Sequence, residues 1–407
     1  MLCAGKLKIR RMLSMAFLLP MLLSALAAAW NPFSVCAQAA PPEVGSKAAI
    51  LMEASTGNVI YEKNADERRS PASITKIMTL ILIFDALEQG EITMEEMVTT
   101  SAHAKSMGGS QVYLEEGEQQ TVETLIKCIV MASGNDASVT MAERIGGTEE
   151  AFVGMMNKRA EGLGMTQTHF TDCCGLTESP KHLTTARDIA VMSRELIGKY
   201  PQIMDYSTIW MDTIIHRTSK GESEFGLSNT NKLLKMQTDF TVTGLKTGST
   251  SLAGCCLSAT GRKDGIDMIA VVLAAENYKI RFSEAKSLLD YGYSVCSRYE
   301  DTSPPKLENL KVDGGKKETA ALKYEGSFSL IRTDGKAFGK VEKKLELPDS
   351  LKAPVKAGDK AGILAYYQGK EKLGEVQILA AEDVKKASYR DYLLRLWRQF
   401  FGIAQCE

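Results

Sequence analysis

In the stretch "SPASITKIMT", Ser73 and Lys76 stand three positions apart, just after a proline and just before an apolar run. Residues three apart on a helix share a face, so the pair could be a nucleophile and its base. A serine hydroxyl must lose its proton to a neighbouring base as it attacks. A lysine can take that proton when burial and a second cation lower its pKa. The competing explanation is local, because serine is also a favoured helix N-cap. The spacing alone decides nothing, since Ser283–Lys286 and Ser303–Lys306 repeat it, one inside an amphipathic helical pattern and the other in a proline-bearing stretch. Only Ser73 is followed, roughly 60 residues on, by Ser133-Gly134-Asn135 and then, roughly 110 further, by Lys246-Thr247-Gly248.

The elements around these motifs would hold them in place. "KAAILMEASTGNVIYEKN" reads as a hairpin around Ser55-Thr56-Gly57-Asn58. Ile74 to Glu88 is apolar on nearly every side and stops at Gly90, which predicts a buried helix with Ser73 at its N-terminal end. "TVETLIKCIVMASGNDASVTMAERIGG" predicts two helical stretches broken at Ser133-Gly134-Asn135. "HLTTARDIAVMSRELI" enters a helix with Thr184 or Thr185 as cap. "FTVTGLKTGST", "AGCCLSATGR" and "IDMIAVVLAA" then predict consecutive antiparallel strands, followed by a helix from about Arg281 to Cys296.

At 407 residues the chain suits more than one core. Lys6, Lys8, Arg10 and Arg11 precede an apolar run from Met12 to Trp30 and small residues at Val35, Ala37, Ala39 and Ala40, the layout of a signal peptide over residues 1–40 with cleavage between Ala37 and Ala40. Its removal takes Lys+Arg from 49 to 45 against 50 acidic residues and the net charge from -1 to about -5. That balance argues against a nucleic-acid partner. Cys128, Cys173, Cys174, Cys255, Cys256, Cys296 and Cys406 remain, an odd set without CxxC units, and the four histidines are scattered, so neither a disulfide framework nor a metal site is expected.

"DTSPPK", residues 301–306, reads as a linker that ends a first domain over 41–300. Residues 301–380 carry short β-like runs with frequent Gly, Asp and Lys, a small all-β domain without evident catalytic groups. In 381–407, Tyr389, Tyr392, Leu393, Leu396, Trp397, Phe400 and Phe401 recur at helical spacing, while Lys385, Lys386, Arg390, Arg395 and Arg398 take the other faces. Such a helix, expected over 385–403, lies in a membrane surface; it is too short and too charged to span one.

The three motifs together, with "GGSQVYLEEGE", "LGMTQTHFTD", "NTNKLL" and "LAG", resemble the serine-type D-alanyl-D-alanine carboxypeptidases, the low-molecular-mass penicillin-binding proteins. The resemblance runs from about residue 45 to the C-terminus. It implies an α+β fold: a β-lactamase/transpeptidase-like domain with an antiparallel sheet flanked by helices, a small all-β domain and a C-terminal amphipathic helix. It implies Ser73, Lys76 and Ser133 as catalytic residues, and Asn135, Lys246, Thr247, Gly248 and Ser249 as substrate-binding residues. The backbone N–H groups of Ser73 and Ser249 would form the oxyanion hole. The substrates would be peptidoglycan stem peptides ending in D-Ala-D-Ala, with β-lactams as covalent inhibitors and no cofactor, outside the cytoplasmic membrane. Cys173-Cys174 and Cys255-Cys256 depart from the family's usual text and read as small buried residues. A β-lactamase would need a glutamate-held water, and residues 165–180 offer only Glu178 without a Glu-x-x-Leu-Asn pattern. A wall-binding protein without turnover has no chemical reason to keep all six polar motif residues.

Overall fold

The computed structural model describes residues 40–177, 179–219 and 221–401. The expected signal peptide, its cleavage site and Cys406 lie outside the described residues. The hairpin forms as expected from β1 (Ala48–Glu53) and β2 (Val59–Lys63). Two short strands, β3 (Met97–Thr99) and β4 (Gln119–Thr121), pair with each other, as do β5 (Met211–Thr218) and β6 (Gly221–Ser228), a hairpin that hydrophobic patterning did not reveal. Strands β7 (Thr241–Thr250), β8 (Gly254–Lys263) and β9 (Ile266–Ala275) complete an antiparallel sheet in the order β2-β1-β9-β8-β7. The strand that carries Lys246 is therefore an edge.

The long helices are α1 (Lys76–Glu88), α2 (Asn135–Gly146), α3 (Glu149–Gly162), α4 (Ala186–Lys199), α5 (Tyr278–Val295) and α6 (Tyr389–Phe400). Alternate residues of β1 point to opposite faces. Ile50 and Met52 join Ile189 and Ala190 of α4, and Ala49 and Leu51 join Leu288 and Leu289 of α5. Every residue of α1 from Lys76 to Ala86 is buried, which is why its sequence shows no polar stripe. Thr185 supplies the cap of α4, accepting from Asp188 N. Asn277 caps α5, which begins three residues earlier than expected.

A separate core begins near residue 297. Ser297–Glu300 already pairs with Ser329–Arg332. Leu310, Phe328, Leu364, Tyr366 and Ile378 pack together, with the Phe328 and Tyr366 rings stacked at 4.0 Å. The start of the stretch read as a linker is anchored, since buried Asp301 accepts from Lys343 Nζ at 2.6 Å and Tyr366 OH at 2.8 Å. Helix α6 begins four residues later than expected because Lys385 and Lys386 are held in backbone pairing with Gly315 and Lys316. Ser388 and Asp391 then close a capping box that starts the helix. Its polar side turns inward: Arg395 Nη2 donates to the Gly315 and Lys316 carbonyls at 2.7 and 2.8 Å. Its apolar side is left open, with Tyr389 80%, Trp397 67% and Phe400 85% exposed. Among the described residues no helix is long and apolar enough to cross a membrane.

Candidate active site

The Ser73 segment differs from a plain helix start. Ala72–Thr75 form a 3₁₀ turn and α1 begins at Lys76. Pro71 and Thr75 occupy the two cap positions without a side-chain cap bond, so Ser73 caps neither. Its Oγ instead accepts from Lys76 Nζ at 3.1 Å. The turn places Ala72 at φ 49°, a left-handed conformation that costs an alanine energy. A buried relay holds it there. Thr171 N donates to His182 Nδ1 at 3.0 Å, His182 Nε2 donates to Thr75 Oγ1 at 2.8 Å, and Thr75 Oγ1 donates to Ala72 O at 2.8 Å. Burial pulls the His182 pKa down, which favours the neutral tautomer the relay requires. Gly175 leans on the same carbonyl so closely that a Cβ would sit 1.9 Å from it.

Lys76 is fully buried and its ammonium has three partners: Ser73 Oγ, Asn135 Oδ1 at 2.6 Å and Cys174 O at 2.8 Å. Burial lowers its pKa. Of the three partners only the serine hydroxyl can reverse and donate. A neutral Lys76 keeps its two N–H groups on the amide and carbonyl oxygens and points its lone pair at Ser73 Oγ.

The break at Ser133-Gly134-Asn135 lies between a π-helical turn (Cys128–Ala132) and α2, which Asn135 begins. Ser133 adopts the left-handed conformation (φ 61°, ψ 32°), and its buried Oγ has no hydrogen-bond partner among the described residues. Asn135 Nδ2 donates to Gly108 O at 2.7 Å and Asn135 N to Ser110 O at 2.8 Å. The next residue, Asp136, accepts from Val112 N and Leu114 N. Asn135 and Asp136 thus staple the 108–114 loop to the motif.

On β7, Lys246 is buried and, among the described residues, donates only to Thr247 O, at 3.2 Å. Its pKa falls well below the lysine range through burial, then through repulsion from Lys76 and Arg281. Arg281 Nη1 donates to Gly248 O and Cys256 O at 3.1 and 3.3 Å, and its Nε is buried without a partner among the described residues. Thr247 Oγ1 donates to Thr230 Oγ1 at 2.7 Å, while Ser249 is exposed at the strand's end. Gly248 has a nearer reason than room for a ligand: a Cβ would meet Pro71 O at 2.8 Å and Ser73 N at 3.0 Å, so the glycine lets the serine turn rest on the strand. The Ser283–Lys286 pair is differently engaged, with Lys286 bound to Asp290 and Ser283 Oγ donating to Ile280 O.

The structure therefore gathers Ser73, Lys76 and Asn135 by direct contact and brings Gly248 against Ser73 and Lys246 beside Lys76, while Thr247 is bonded to Thr230. Among the described residues no cluster of His, Cys, Asp and Glu could hold a metal ion. The six described cysteines are free. Cys173 and Cys174 meet the site through their backbones, the Cys173 carbonyl accepting from Thr79 Oγ1 at 2.5 Å, while burial pushes the Cys173 thiol pKa up.

Sequence families match both parts of the chain. The family described as D-alanyl-D-alanine carboxypeptidase matches residues 35–277, and that described as penicillin-binding protein 5, C-terminal domain, matches residues 300–386. The chain belongs to the D-alanyl-D-alanine carboxypeptidase family. It is 41% identical over 363 residues to the D-alanyl-D-alanine carboxypeptidase DacF of Bacillus subtilis, covering 87% of this chain and 90% of that protein. It is 33% identical over 382 residues to DacC of Escherichia coli, covering 89% and 90%. Among solved structures, penicillin binding protein 5 from Haemophilus influenzae superposes with a TM-score of 0.65 at 29% identity, over 86% of this chain and 100% of that one.

In this member of the carboxypeptidase family, sequence reasoning passed over Arg281, His182 and Asp136. Arg281 sits within the predicted α5 pattern and His182 in a loop, and neither spacing carries a signal. Asp136 follows Asn135 directly, so the motif itself pointed to it.

Proposed function

We propose that this chain removes the terminal D-alanine from peptidoglycan stem peptides ending in D-Ala-D-Ala, through an acyl-enzyme on Ser73. The observation that carries the proposal is the sealed contact of Lys76 with Ser73, Asn135 and Cys174, beside Lys246 and Arg281, two buried basic groups with no carboxylate at ion-pair distance among the described residues. The substrate carboxylate would lie against Lys246 and Thr247, with Arg281 behind the strand adding field. The open edge of β7 offers backbone groups to an extended peptide.

Lys76 takes the Ser73 proton as Oγ attacks the penultimate carbonyl, and the N–H groups of Ser73 and Ser249 receive the developing oxyanion. Ser133, whose hydroxyl has no partner among the described residues, passes a proton to the departing D-alanine amine. Water then cleaves the ester and restores the serine. A β-lactam would follow the same first step, but its leaving group stays tethered and hinders the water.

A signal peptide over 1–40 would deliver the enzyme outside the cytoplasmic membrane, and α6 would attach it there. The support is the direction of the helix: its polar side is bonded to its own domain and its aromatic side is open. Incubating the mature protein with a D-Ala-D-Ala-ended peptide and assaying free D-alanine tests the activity. Release must occur, and must disappear in Ser73→Ala; release that survives that change removes the serine from its role.

A further inference from the structure

We infer that the cleft between the 314–319 turn and α6 binds the phosphate of an anionic phospholipid headgroup, an inference that rests on the membrane attachment proposed above. The cleft has a volume of about 980 Å³, with Lys316 and Lys317 on one wall and Arg390, Arg395 and Arg398 on the other. Its carboxylates are already engaged. Glu382 pairs with Lys317, Glu318 lies 3.6 Å from Arg395, and Asp391 accepts in the Ser388 capping box. Arg395 is spent on two backbone carbonyls and holds the wall together. Lys316, Arg390 and Arg398 are left without a carboxylate at ion-pair distance among the described residues.

Five cations against three carboxylates leave the lining of this roomy polar cleft at a net charge of +2, with Lys316, Arg390 and Arg398 outside any ion pair among the described residues, which fits a phosphodiester presenting anionic oxygens in several directions. The source follows from the same helix. Its far side carries the exposed Leu393, Leu396, Trp397 and Phe400, and a helix is only about 10 Å across. A lipid whose chains lie beside those residues brings its headgroup to the cleft's rim, where Leu394 lines the opening. A zwitterionic headgroup carries a cation of its own and gains little there, so the lipid is an anionic one.

The test is co-sedimentation of the mature protein with phosphatidylcholine vesicles, with and without phosphatidylglycerol. Three proteins are compared: wild type, the triple variant Lys316→Ala/Arg390→Ala/Arg398→Ala, and the double variant Trp397→Ala/Phe400→Ala. Wild type should prefer the anionic vesicles. The triple variant should lose that preference, by roughly fivefold per cation and on the order of a hundredfold in all, while keeping its binding to neutral vesicles. The double variant should lose both. Unchanged hydrolysis of a soluble D-Ala-D-Ala peptide shows that each variant is folded. A triple variant that keeps the full preference overturns the headgroup site and leaves the attachment standing. Wild type that binds neither vesicle overturns both. Soluble polyglycerol phosphate that binds wild type, loses to the triple variant and outcompetes phosphatidylglycerol overturns the lipid assignment in favour of a wall polymer.

Discussion

Lys76 Nζ lies 2.6 Å from Asn135 Oδ1, a buried contact that joins the start of α1 to the start of α2. A neutral oxygen there leaves the lysine free to lose its proton. Asn135→Asp puts an anion in the same place and should raise the Lys76 pKa by about 1 to 3 units. Acylation by a chromogenic β-lactam should then slow about tenfold or more at neutral pH and recover as pH rises. An unshifted pH profile would show that Lys76 is not the titrating base.

Penicillin should leave one adduct, on Ser73. Intact mass and peptide mapping check this, and Ser73→Ala should take up none. A label on Ser283 would contradict the structure, in which that hydroxyl is bonded into its own helix.

Binding of the carboxylate should be accompanied by proton uptake. Lys246 has its pKa lowered by burial and by two neighbouring cations, and an arriving anion raises it again. Titration calorimetry of Ser73→Ala with a D-Ala-D-Ala peptide, in buffers of different ionisation enthalpy, should give heats that depend on the buffer. Buffer-independent heats would mean that Lys246 is already charged. Lys246→Ala should weaken transition-state binding by about 2 to 5 kcal/mol, as expected for truncating one partner of a buried charge pair.

His182 makes stability pH-dependent in a defined direction. Its folded pKa is depressed, chiefly by burial and to a lesser extent by His169, with Asp172 opposing. The unfolded chain therefore binds the proton more tightly, so this group's contribution is complete above about pH 6.5 and is lost as pH falls towards the folded value. Thermal melting from pH 8 to 5 should show that decline, and His182→Asn should flatten it. An identical decline in the variant would assign it to other groups. Protonation also breaks the bond from Thr171 N, so acylation should fail together with stability.

The three motifs and the antiparallel strands were legible because each depends on neighbours in sequence: an apolar run, a glycine break, a two-fold alternation. What escaped was the set of contacts between distant segments. His182 reaches Thr75 across 107 positions and Arg281 reaches Gly248 across 33, and no periodicity marks either. The 3₁₀ turn at Ser73 was hidden because its strain is imposed by Gly175 and the His182 relay, not by its own residues. Amphipathic spacing told that α6 has two unlike sides. Which side faces inward depended on the carbonyls of Gly315 and Lys316, which no side-chain pattern can report.

That inward-facing polar side bears on how a membrane-held enzyme would explore its surroundings. A catalytic domain on a loose tether sweeps a volume, and its encounters are set by the tether's length. Here two carbonyl bonds, a capping box and a stretch of backbone pairing fix the helix to its own domain, so it is no loose tether. If the aromatic side lies in lipid, as proposed above, the molecule would keep one orientation and travel by diffusion in a plane. Stem peptides would then reach Ser73 according to their height above the bilayer.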